Sequence, residues 1–225
     1  MRIVLAMAML LVIASAAHAC DAVDECRSSA GLSCPSMKIS VCPQGDFEMI
    51  ERACGGAGDY IWVEVWGACE PSFPIAGIPQ TDFWFDACDA PLELFLCTAG
   101  IVADSLTGAN GRTTFSGAIR AGGCVLTGGI WITARGFTIF DECGMTVLCL
   151  PIVIKSLDLT GAGGYPDGIV NLSDLVPFGT SYNTELGGTP PPLRAYNACC
   201  DYTDDNKCNL SDFAYWGLHY LHSCY

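Results

Sequence analysis

The chain has 225 residues and a formal net charge of −14, from 24 acidic residues against 10 basic ones. Neutralising phosphate takes clustered Lys and Arg, and no such cluster exists, so nucleic acid is excluded as a partner. Divalent cations suit this balance, and 51% apolar residues suffice for a buried core in one large domain or two modest ones.

Residues 1–19 read as a secretion signal. Arg2 supplies the positive end, Ile3 to Ile13 is an apolar run of eleven, and Ala17-His18-Ala19 fits a small-x-small cleavage site. The run falls short of the ~20 residues of a membrane span and no later stretch reaches that length, so no transmembrane helix is expected after signal removal. Fifteen cysteines fit a secreted or cell-surface protein in an oxidising compartment. Their number is odd. Cys20 follows the cleavage site and could carry lipid, leaving fourteen cysteines for seven disulfides; the alternative is one thiol left over or paired between molecules.

Residues 20–56 form a Cys-rich lead with cysteines at 20, 26, 34, 42 and 54, in which Met37–Pro43 alternates well enough to be a first strand. Residues 57–155 read as antiparallel β structure. The expected strands are Tyr60–Gly67, Thr81–Ala87, Leu92–Cys97, Thr113–Arg120, Ile130–Phe140 and Thr146–Lys155, with a turn at Asn110-Gly111. Short strands at this spacing indicate an all-β sandwich or barrel.

Strand alternation gives this region two faces. Ile61, Val63 and Val65 oppose Tyr60, Trp62, Glu64 and Trp66; Phe83 and Phe85 oppose Asp82, Trp84 and Asp86; Ile130 and Ile132 oppose Trp131 and Thr133. With the aliphatic face as core, Trp62, Glu64, Trp66 and Trp84 become candidates for stacking on and hydrogen bonding to a glycan. The competing reading is that the lead or the tail covers the aromatics, or that they are themselves core.

The stretches D-S-L-T-G-A-N-G-R-T-T-F-S-G (104–117) and P-I-A-G-I-P (74–79) resemble immunoglobulin-like or transthyretin-like modules of bacterial surface proteins. The resemblance implies an Ig-like β-sandwich serving as a spacer or binding module.

After Lys155 the chain changes character. N-L-S-D-L (171–175) and N-L-S-D-F (209–213) are near-copies thirty-eight positions apart. In the second copy Asp201, Thr203, Asp205, Lys207 (through its carbonyl), Asn209 and Asp212 take positions 1, 3, 5, 7, 9 and 12 of an EF-hand type loop, which is the oxygen-ligand spacing for Ca2+. Asn206 stands at position 6, where the backbone turns left-handed and glycine is usual. In the first copy Asp167, Ile169 (carbonyl), Asn171 and Asp174 take positions 5, 7, 9 and 12. Asp158 and Thr160 become positions 1 and 3 if A-G-G-Y-P (162–166) is an insertion. Two calcium ions are expected, with the second loop the more regular site.

Paired loops of this form, each followed by a helix, resemble a type I dockerin over residues 156–225. That implies a small helical calcium-binding pair with a pseudo-twofold and a cohesin-like module or cell-surface component as partner. The segments L-V-P-F-G (175–179) and F-A-Y-W-G (213–217) are apolar for docking helices, and Pro177 removes a helical hydrogen bond unless the helix starts late.

Pairing Cys199 or Cys200 with Cys224 would staple the tail to its own loop entrance. A zinc site from Cys208, Cys224, His219 and His222 matches no usual zinc spacing. No Ser-His-Asp set, phosphate loop or dinucleotide motif is present, and a carboxylate pair drawn from Glu64, Asp82 and Asp86 would be needed for glycoside hydrolysis. The expectation is a disulfide-rich, non-catalytic, exported structural or interaction protein. The alternative is a carbohydrate-binding component of an extracellular polysaccharide-degrading assembly.

Overall fold

The computed structural model describes residues 22–225 apart from 36, 46–48, 52–58, 89–93, 99, 142–145, 162 and 190–193, with the backbone alone at 49–51. The secretion signal and Cys20, Cys54 and Cys143 lie outside the described residues. The structure is mostly β-sheet with few helices.

Fifteen short strands are described: β1 Ser29–Leu32, β2 Lys38–Val41, β3 Met49–Glu51, β4 Ile61–Glu64, β5 Phe83–Ala87, β6 Leu94–Leu96, β7 Arg112–Phe115, β8 Ala121–Val125, β9 Ile130–Ala134, β10 Phe137–Thr138, β11 Phe140–Asp141, β12 Thr146–Val147, β13 Val153–Ser156, β14 Thr184–Glu185 and β15 Lys207–Cys208. Two helices follow the near-copies, α1 Leu175–Ser181 and α2 Leu210–Leu218.

The aliphatic positions do face inward. Ile61, Val63, Val65, Phe83, Phe85, Ile130 and Ile132 are all buried in one core, with Phe115 edge-on to both Phe83 and Phe85. Three sheets wrap this core, in the manner of a β-sandwich. Their orders are β1-β4-β7, β10-β9-β5 and β3-β2-β13-β8-β6. The last contains one parallel pair, β13 with β2, in register Ile154↔Ile39. The lead therefore contributes one interior strand, β2, and two edge strands, β1 and β3.

Three expected strands divide differently. Ile130–Phe140 is broken into β9, β10 and β11, because Arg135 (φ +53) and Gly136 (φ +82) turn left-handed and fold Phe137–Thr138 back onto β9. Thr146–Lys155 is interrupted at Pro151, which has no amide to donate to a ladder. Thr113–Arg120 ends at Phe115, and the chain re-forms as β8 over A-G-G-C-V, where two glycines disguise a strand.

The middle strands of the five-stranded sheet, β2, β13 and β8, are packed on both faces. Ile39, Val41, Val125 and Ile154 enter the main core. Their alternates receive the C-terminal unit: the Ser40 hydroxyl donates to the Tyr202 carbonyl (3.5 Å), the Lys155 ammonium to the Asp201 carbonyl (2.7 Å), and Cys124 is bonded to Cys199. A second apolar cluster, including Leu157, Val170, Phe178, Tyr202 and Trp216, fills the unit beneath.

Disulfides join Cys88–Cys149, Cys97–Cys224 and Cys124–Cys199. The expected staple of Cys199 or Cys200 to Cys224 is therefore replaced. β8 presents Cys124 on the face that meets the tail, and the loop after β6 presents Cys97, so the tail is bonded to the β sheets.

Candidate metal centres

Each near-copy begins with an Asn whose side chain caps the turn that follows. Asn171 Oδ1 accepts from the Ser173 amide and Asn209 Oδ1 from the Ser211 amide, both at 2.8 Å. Asp174 and Asp212 return the bond to the Asn171 and Asn209 amides at 2.7 and 2.9 Å, completing two capping boxes. In the first copy the chain makes a 3-10 turn, Leu172–Asp174, before α1 begins at Leu175. Pro177 thus falls in the first turn of α1, where no intrahelical amide bond is due.

The loops before these caps share one hydrogen-bond plan. In the second, Asp201 Oδ1 and Oδ2 accept from the Asp205 and Asn206 amides at 3.1 and 3.0 Å, Asp212 Oδ1 accepts from the Thr203 amide at 2.9 Å, and Asp205 Oδ1 from the Lys207 amide at 2.9 Å. In the first, Asp158 accepts from the Asp167 and Gly168 amides at 3.3 and 2.8 Å, Asp174 from the Thr160 amide at 2.8 Å, and Asp167 from the Ile169 amide at 3.2 Å. These four amide bonds recur at equivalent positions in both loops despite the extra residues 162–166. Position 6 is left-handed in both, at Gly168 (φ +80) and Asn206 (φ +64).

The copies also exchange edges. β15, inside the second loop, pairs with β14 beyond α1, and the Asn183 amide donates to the Cys208 carbonyl at 2.7 Å. In the first loop Ile169 bridges Ser223 beyond α2, and the Leu221 amide donates to the Val170 carbonyl at 2.8 Å. Asn183 (φ +62) and Leu221 (φ +69) stand thirty-eight positions apart, as the copies do, and both turn left-handed.

Of the residues expected to ligate, the structure brings carboxylate oxygens of Asp201, Asp205 and Asp212 within 4.8 Å of one another. Asp158, Asp174, Asp201 and Asp212 are buried, while Asn171 and Asn209 are half-buried, the Asn171 side-chain amide donating to the Ile169 carbonyl and to Asp167 and that of Asn209 to Asp205. Such hard oxygen donors fit a cation that takes roughly six to eight oxygens, as Ca2+ does.

Burial, and then the charge of Asp174, push the Asp158 carboxyl up to about 7. Burial also raises Asp174 and Asp201, with the Tyr196 hydroxyl (2.7 Å) and Lys155 drawing Asp201 back. A carboxyl raised from 3.8 to about 7 on folding stabilises the calcium-free protein below pH 3.8, and that stabilisation is lost as pH rises through 7. A calcium ion held by this loop would compete with this proton. In an Asp201→Asn variant, which leaves the first loop as the intact site, calcium affinity should tighten as pH rises from about 6 and level off above about 8. Titration calorimetry at several pH values tests this, and a flat profile would contradict it.

Two contributors escaped the sequence reading. Lys155 is a 4% exposed cation whose ammonium also meets Asp204 at 2.6 Å, tying β13 to the second loop. Its only signal was a lone Lys within an apolar strand. Gly122 on β8 is the other: a Cβ there would lie 2.2 Å from Asp158 Oδ2, so the first loop seats against a strand with no side chain at that point.

The aromatic candidates do not form one surface. Trp62 and Glu64 lie on β4, with Gly31 closed against the Trp62 ring and the Arg112 guanidinium 4.6 Å from its centroid. Trp66 just beyond donates to Glu64 Oε1 at 2.9 Å. Trp84, 42% exposed, lies on β5 in a different sheet, beside Asp82, Thr133 and Arg135. Glu64 is likewise on a different sheet from Asp86, so the two do not pair.

No protein-family model matches the chain, and no curated protein matches it. Among solved structures, it is similar to a crystal structure of a C-terminal interface mutant of a type II Cohesin-X-Dockerin complex from Acetivibrio cellulolyticus. That similarity amounts to 14% identity and a TM-score of 0.30, covering 86% of this chain and 97% of that chain.

Proposed function

We propose that the protein is an exported, non-catalytic interaction protein whose C-terminal unit is a dockerin-like module, ordered by two calcium ions and docking a cohesin-type partner. The observation that carries this reading is the repeated plan of the two loops, down to the exchanged edges. One Asp-rich turn is common on an acidic surface; two that reproduce the same carboxylate-to-amide bonds, one across an insertion, argue for a shared ligand. Disulfides and the lack, among the described residues, of any helix long and apolar enough to cross a membrane fit an extracellular setting.

The helices divide their residues between packing and display. Phe178 and Trp216 are buried, whereas Leu172 and Leu210, at the same place in each copy, are both 65% exposed. Paired exposed leucines at the start of each turn form an apolar contact that a partner can cover. Immobilised cohesin modules should capture the full chain in calcium and release it in EDTA. Leu172→Ser with Leu210→Ser should weaken capture at least about tenfold while leaving calcium stoichiometry intact. Capture that ignores both EDTA and the double variant would defeat the docking reading.

A carbohydrate-binding role has one specific support, the exposed Trp84 with its polar neighbours. On a glycan array, that reading requires binding that Trp84→Ala abolishes and Trp62→Ala leaves unchanged.

A further inference from the structure

We propose that Cys42, His219 and His222 form a zinc site, separate from both calcium loops, at the seam between the N-terminal strands and the C-terminal tail. The three side chains come from opposite ends of the chain, with Cys42 and His222 separated by 180 positions, yet their ligand atoms lie within 4.8 Å of one another. His222 Nδ1 is 3.2 Å from His219 Nδ1 and 3.7 Å from Cys42 Sγ.

Those distances are what one tetrahedral ion would impose. Zinc–nitrogen bonds of about 2.05 Å and a zinc–sulfur bond of about 2.3 Å at tetrahedral angles place N···N at about 3.3 Å and N···S at about 3.6 Å. Two facing Nδ1 atoms at 3.2 Å have room for one proton between them, and the same His222 Nδ1 faces the sulfur as well. A cation placed between them would accept all three lone pairs at once.

The donors are also held in place independently. Cys42 begins the turn after β2, its carbonyl accepting from the Gly45 amide at 2.9 Å. His219 ends α2 with its amide on the Trp216 carbonyl at 3.1 Å. The His222 amide donates to the His219 carbonyl at 3.0 Å, and its own carbonyl accepts from the Val170 amide at 2.9 Å. The rings stand perpendicular with centroids 5.0 Å apart. Cys42 and His219 are buried and His222 is half-buried, leaving the fourth position to water from the His222 side.

One thiolate with two imidazoles selects zinc among the common extracellular divalent cations, whereas calcium and magnesium demand oxygen. Binding releases the Cys42 proton to solvent as the thiolate coordinates, with no change in oxidation state.

Cobalt titrated into the full chain in excess calcium provides the test. One equivalent should develop the visible bands of tetrahedral Co2+ and a thiolate-to-cobalt charge-transfer band, and zinc should bleach both. Cys42→Ser should remove the charge-transfer band, and His222→Gln should weaken binding by about 100-fold. An absence of these bands, or bands unchanged in either variant, overturns the site. Should a variant lose calcium stoichiometry through misfolding, the native chain decides: zinc should slow alkylation of Cys42, read by mass spectrometry, and equal rates with and without zinc overturn the proposal.

Discussion

Titrated with calcium, the full chain should bind two ions, Asp201→Asn should abolish one and Asp158→Asn the other. Asparagine preserves an acceptor for the Asn206 or Gly168 amide while removing the charge, so each loop keeps its shape and loses its cation. The affinity cost at the altered loop should be on the order of 100-fold, since charge count sets affinity in such loops. Without a cation, the first loop holds the buried carboxylates of Asp158 and Asp174 near each other with only amide donors to offset them, whereas the second also has the Tyr196 hydroxyl and Lys155. That is why Asp158 is driven up to about 7. At a calcium concentration about 100 times each Kd, each ion adds about 2.7 kcal/mol, so chelation should lower the melting temperature by on the order of 10 °C. One ion bound by the wild type would show that residues 162–166 disable the first loop despite its matching hydrogen bonds. Equal melting with and without chelator would remove calcium from the account altogether.

The second large effect concerns Cys97–Cys224 and Cys124–Cys199, which close segments separated by 127 and 75 positions. Long loops lose much denatured-state entropy when closed, and removing either bond should cost about 2–5 kcal/mol. The losses should differ in kind. Cys97→Ala with Cys224→Ala frees the very end of the chain and the Ile169–Ser223 bridge, so it should weaken calcium at the first loop. Cys124→Ala with Cys199→Ala frees the entrance to the second loop, so its effect should fall on the Asp201 site. Denaturant midpoints combined with calcium titration of each pair would separate the two. Identical calcium behaviour in both would mean that the disulfides act on stability alone.

Much of this architecture could be read from local pattern. Alternation at 60–66, 83–87 and 130–133 identified the buried faces because burial follows the two-residue period of a strand. The repeat of N-L-S-D located both loops because a capping box and an oxygen-ligand spacing are local properties. What escaped depends on contacts far apart in sequence. β8 was hidden because Gly122 and Gly123 have poor strand propensity and are present for Asp158 to approach. The partner of Cys199 could not be deduced, since Cys124 and Cys199 meet only after the tail lies on the five-stranded sheet. Trp62 and Trp84 followed one alternation rule and still ended on different sheets, because alternation specifies a face and says nothing about which sheet carries it.

The C-terminal unit enters from β13 through Leu157 and ends at Cys224, bonded to Cys97, with Cys199 bonded to Cys124 between them. A module joined by one peptide segment swings, and a pull on its partner is borne by that segment alone. Here a pull on α1 or α2 is divided among the main chain at Leu157 and two covalent cross-links, one to β8 and one to the loop that follows β6. Tension applied through a docked partner would pass straight into the sheets, and the module would hold a fixed heading relative to them.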